Sequence, residues 1–148
     1  MPLDFERIEY ADLNSRQREN YNFHKLAAVL ADYGFTAIRL SDDWEGADFL
    51  AAHVDGETLL RVQLKGRLSF YEKYVGKGLH VGFPSGNDWY LYPHDDVLAT
   101  VLDATTIGET ASWQKHGGYS FPGLSAQMRD LLEPYRLHQA TSASPAGS

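Results

Sequence analysis

The chain has 148 residues, 43% of them apolar, a formal net charge of −7 and no cysteine. Its length and apolar share fit one domain with a full core, while the missing cysteine excludes disulfide scaffolds, thiolate metal sites and cysteine nucleophiles. The acidic balance argues against coating nucleic acid by phosphate neutralisation alone.

No apolar run reaches the ~18 to 20 residues of a membrane span, and the start, MPLDFERIEY, is too acidic and polar for a secretory signal. The expectation is therefore a cytoplasmic domain of α/β or α+β class over residues 1–137. The last residues, ATSASPAGS, are small and polar, so 138–148 read as a disordered tail.

The first element is a helix from Asn14 to Tyr33, capped by Asn14 or Ser15 and ended by Gly34. Phe23, Leu26, Ala27 and Leu30 recur at helical spacing and define its buried stripe. Glu19 lies one turn before Phe23 on the same stripe, a carboxylate expected to face inward. FTAIRL (35–40) reads as a strand, followed by an acidic loop, SDDWEG. Residues 46–65, GADFLAAHVDGETLLRVQLK, read as a hairpin around Asp55-Gly56.

FYEKYVGKG is short and irregular. LHVGF (79–83) and WYLYP (89–93) form a second hairpin around Gly86, and a helix is expected over His94–Leu102, with Asp95 and Asp96 at its positive end. Residues 104–123 read as mostly loop. A final amphipathic helix, Leu124–Tyr135, groups Leu124, Met128, Leu131 and Leu132 on one side.

Register follows from the Asp-Gly turn. If Asp55-Gly56 is a two-residue type I′ turn, opposed residues have numbers that add to 111, so Asp48 faces Gln63. Lys65 shares that face, because side chains alternate with period 2. A carboxylate, an amide oxygen and an ammonium on one sheet face suit a hard cation such as Mg²⁺, which keeps several waters, together with a phosphate and an attacking water that the ammonium orients. Glu19 would add a carboxylate from the helix.

This arrangement resembles the PD-(D/E)XK nuclease superfamily, the restriction-endonuclease-like fold, in a QxK variant. The pieces are Glu19 in RQRENYNF, Asp48 in EGADF and Gln63-x-Lys65 in VQLKGR, over residues 13–103. Ala47 replaces the usual proline, and Gln63 removes one negative charge from the site. The resemblance implies an αβββαβ core with a mixed central sheet flanked by helices. It also implies a Mg²⁺- or Mn²⁺-dependent endonuclease acting on DNA, or on RNA, as a homodimer. Asp48, Gln63 and Glu19 would be metal ligands, and Lys65 would orient water and stabilise the pentavalent phosphate. The alternative is an inactive nucleic-acid-binding or protein-interaction module of the same fold.

Between residues 61 and 77, five basic side chains stand against the single acid Glu72, a local net of +4, so the rest of the chain carries −11. Arg67, Lys73 and Lys77 are the expected phosphate contacts in this strip, with Tyr71 and Tyr74 interleaved. His94, Asp95 and Asp96 are read as a helix start in preference to a metal site. Trp113, Lys115, His116 and Tyr119 form an aromatic-basic segment read as loop packing in preference to base stacking.

Overall fold

The computed structural model describes residues 4–138. Helix α1, Ser15–Asp32, starts at a capping box: Gln17 N–H donates to the Asn14 side chain, and the Gln17 side chain accepts from Asn14 N–H. It ends before Gly34, whose φ of 86° is the left-handed conformation that glycine tolerates. The core face of α1 is Asn22, Phe23, Leu26, Val29 and Leu30; Ala27 is only half-buried.

Strand β1, Phe35–Trp44, runs further than expected, and the acidic SDDW belongs to it. Both Glu45 and Gly46 have positive φ, 54° and 88°, and Trp44 pairs with Ala47 across them. This is the primed two-residue turn that matches strand twist. Strand β2 is Ala47–His53 and β3 is Leu59–Leu64. Their observed pairs, Phe49 with Val62 through Ala52 with Leu59, have the expected register. The turn differs from the expected one. His53 N–H donates to the Thr58 carbonyl, so the loop has four residues, and Asp55 accepts from Glu57 N–H, Thr58 N–H and the Thr58 hydroxyl. The four-residue loop is centred on the same peptide bond as a two-residue one, and register survives the change of turn.

After β3 come a short strand β4, Ser69–Tyr71, a 3₁₀ turn, Glu72–Tyr74, and strand β5, Leu79–Ser85, which lies parallel to β3. The FYEKYVGKG stretch, expected to be short and irregular, supplies the end of β4 and the 3₁₀ turn within this crossover. Strand β6, Asp88–Pro93, returns antiparallel over a two-residue turn at Gly86. Helix α2, His94–Ala104, follows directly. Residues 104–123 are more ordered than expected: helix α3, Ala111–His116, leads into β7, Gly118–Ser120, which pairs with β4 in a separate two-stranded sheet. Helix α4, Ala126–Leu132, is shorter than its apolar pattern, since Ser125 caps it and a 3₁₀ turn replaces its last residues. Strand β8, Arg136–Leu137, completes a main sheet ordered β1-β2-β3-β5-β6-β8. Apart from His138, the expected tail lies outside the described residues.

The sheet is mixed and flanked by helices, as a restriction-endonuclease-like core requires. On one face α1 packs Phe23, Leu26, Val29 and Leu30 against Phe49, Ala51, Val62 and Trp89. On the other, Val81, Phe83, Tyr90 and Tyr92 pack against α2, α4 and the small sheet through Val97, Val101, Met128, Leu132 and Phe70. Both cores exclude water from long apolar side chains, the dominant favourable term in folding. No helix among the described residues is long and apolar enough to cross a membrane.

Candidate active site

The site forms where β1 stops pairing regularly. Pairing holds through Arg39–Phe49 and resumes at Trp44–Ala47, so Leu40 to Asp43 bulge out opposite Asp48. A bulge re-aims side chains at a sheet end and is over-represented beside active sites. Here it opens a cleft of about 660 Å³ between α1 and the sheet, lined by Glu19, Asp42, Asp43 and Asp48 with Arg16 and Arg39. Its charged lining is predominantly acidic.

Asp48 is half-buried at the floor of this cleft, and its Oδ2 accepts from Leu64 N–H at 2.8 Å. Burial raises its pKa above the ordinary carboxylate value; the Leu64 hydrogen bond opposes this, the Glu19 and Asp43 charges reinforce it, and Lys65 opposes it. Like charges therefore converge on Asp48 from a helix and from the bulge, with one lysine opposite.

Lys65 follows the last residue of β3, and its N–H donates to the Gly82 carbonyl. Its Nζ lies 4.7 Å from the centroid of the Tyr71 ring and 5.5 Å from that of Tyr74, while Lys73 Nζ lies 5.5 and 5.4 Å from the same two rings. The rings meet edge to face at 5.4 Å. Two ammonium groups are thus held by aromatic faces, which attract cations without neutralising them. Burial pushes the Tyr74 hydroxyl up to about 12, and Asp48 adds to that shift.

The aromatic pair is fixed from behind. His94 is fully buried; its Nε2 accepts from Tyr71 N–H at 3.2 Å, which makes Nδ1 the protonated nitrogen, donating to Asp95 at 3.0 Å. Asp95 in turn accepts from Gly76 N–H. The reading of these residues as structural agrees with this role.

The residues expected in the site are placed as follows. Glu19 lies in the cleft with Asp48 but is exposed, not inward-facing: it sits on the core stripe one turn beyond the last packed residues of α1, where the helix overhangs the cleft. Gln63 is half-buried and does not line the cleft; its Nε2 donates to the Leu64 carbonyl at 3.4 Å. Arg67 is exposed just past the site. Lys77 pairs with Glu45 at 3.0 Å on the outer side of the β1-β2 turn, near Arg61. Trp113 and Tyr119 pack against the core.

Sequence reasoning did not assign Asp43. A run of acids before a Glu-Gly pair is compatible with a loop, and only the three-dimensional pairing reveals the bulge.

The acidic cleft suits a hard cation, because a cation would offset the burial that chiefly raises Asp48 and the repulsion from Glu19 and Asp43 that adds to it. Among the described residues no group of three or more histidines, aspartates or glutamates is set closely enough to hold a metal alone. Mg²⁺ does not need one, since it binds through one or two carboxylates with waters and substrate phosphate.

No family model matches the chain, and no curated protein matches it. Among solved structures, 50% of the chain is similar to 70% of Hjc, a Holliday junction resolvase from the archaeal hyperthermophile Archaeoglobus fulgidus, with 19% sequence identity and a TM-score of 0.40.

Proposed function

We propose that this protein is a metal-dependent nuclease of the PD-(D/E)XK type that hydrolyses phosphodiester bonds in DNA. The observation that carries the reading is an acidic cleft around Asp48 with Lys65 close enough to act on that carboxylate, and Lys73 gathered with Lys65 on the Tyr71 and Tyr74 rings. Asp48 and Glu19 would hold Mg²⁺ or Mn²⁺, with Gln63 reaching the ion after a side-chain rotation away from Leu64. When bound, the ion supplies Lewis-acid polarisation of the phosphate and an acidified water.

The rest falls to the chain's own residues. Lys65 orients the attacking water and offsets charge developing on the phosphate; Lys73, presented by the same tyrosines, holds the adjacent phosphate, and Arg67 the next. Lys77 contributes little, because Glu45 already holds it. Cutting both strands of a duplex takes two such sites, which supports a homodimer.

A second reading, a binding module without cleavage, is favoured by Gln63, an uncharged amide that lies outside the cleft and stands where most PD-(D/E)XK nucleases would carry a carboxylate. Titration of Mg²⁺ or Mn²⁺ into mixtures of the protein with labelled single-stranded, duplex and branched DNA separates the two. The nuclease reading expects metal-dependent product on at least one substrate. Binding without product on all three supports the module.

A further inference from the structure

Helix α1 borders two grooves with different linings. The acidic cleft lies on one flank; on the other, a larger groove of about 1040 Å³ runs between α1 and the β5-β6 turn. Among its charged lining residues, Arg136 is already engaged by Glu133 at 3.1 Å and by Asp88 at 3.6 Å, whereas Lys25 pairs with no carboxylate among the described residues. Lys25 is therefore the cation this groove offers to an anionic ligand.

Aromatic faces line the same groove. Tyr10 and Tyr21 are 41% and 38% exposed, although their rings meet edge to face at 5.4 Å. Neither ring is loosely held. The buried Asn22 amide donates to the Tyr10 hydroxyl at 2.9 Å, the Arg18 guanidinium lies 5.3 Å from the Tyr10 centroid, and Lys25 Nζ lies 5.3 Å from that of Tyr21. A preorganised, part-exposed aromatic pair beside cations is the construction on which unpaired bases stack while their phosphates are neutralised. The end of β3 reaches both: Leu64 lines the cleft, and Gly66, which directly follows Lys65, lines the groove.

We infer that this groove binds an unpaired nucleotide of the DNA substrate, stacked on Tyr21 and Tyr10 with its phosphate at Lys25, next to the bond that is cut. The inference rests on the nuclease reading for its substrate. It makes the enzyme selective for DNA with single-stranded character, since a paired base cannot leave its stack for the groove without the cost of unpairing.

The test is fluorescence anisotropy of fluorescein-labelled oligothymidylate with the full chain in EDTA, beside a duplex of equal length. Tyr21→Ala is expected to weaken oligothymidylate binding about tenfold or more and Lys25→Glu comparably, with Tyr21→Phe within about twofold of wild type and duplex binding unchanged in all three. Unfolding temperatures confirm that each variant folds. Wild-type oligothymidylate affinity in both Tyr21→Ala and Lys25→Glu overturns the inference, as does equal loss of single-strand and duplex binding. Because the binding is read without metal, its failure is distinct from a failure to cleave.

Discussion

Asp48 is the residue on which the account turns. Its carboxyl is raised above the ordinary range by burial and by Glu19 and Asp43. A carboxyl whose folded-state pKa exceeds its unfolded value favours folding only while protonated, so this contribution is lost as pH rises through the raised value. Asp48→Asn keeps an oxygen that can accept from Leu64 N–H and removes the charge. The expected outcome is a melting temperature at pH 7 a few degrees above wild type, with the difference closing below about pH 4, where both states of wild type are protonated. Thermal unfolding across that range checks it, and an Asn variant less stable than wild type at pH 7 contradicts it.

At the scale of elements, α1 and the sheet approach closely because β5 carries Gly82 beneath it. A Cβ there would lie 2.5 Å from a terminal methyl of Leu26, which is fully buried in the packed core, so the side chain must shift to admit it. Gly82→Ala is expected to destabilise the fold by about 1 to 3 kcal/mol, measured by chemical denaturation. The elements also show what the sequence could reveal. Helix α1 and its cap were legible because Asn14, Gln17 and the 3.6-residue stripe agree. The β2-β3 register was legible even though the loop at Asp55 has four residues, since any even loop with the same centre aligns Asp48 with Gln63. Opposition did not bring Gln63 into the cleft: Asp48 turns to Leu64 N–H and the bulge draws the cleft toward Asp43, neither of which strand periodicity encodes. The β4-β7 sheet was illegible for a related reason, because three-residue strands far apart in sequence carry no periodic signal.

Seen as a whole, the molecule is built unevenly. The β5-β6 side of the sheet is covered on both faces, whereas the face of β1-β2-β3 opposite α1 leaves Ile38 and Leu59 47% and 56% exposed. Charge is uneven too, with cations gathered around Lys65 and Lys73 in an acidic chain. Few phosphates can then be neutralised at once, and a plot of log binding constant against log salt is expected to have a shallow slope of about −2 to −3. Lys73→Ala should reduce that slope by about one, and Lys77→Ala should leave it unchanged because Lys77 is paired with Glu45.

The most direct test is single-turnover cleavage of labelled branched DNA in Mg²⁺ or Mn²⁺ by wild type, Asp48→Ala and Lys65→Ala. Wild type is expected to cleave in a metal-dependent manner, each variant to lose about 100-fold or more, and Asp48→Ala to retain DNA binding in EDTA. Cleavage at the wild-type rate in both variants would contradict that expectation.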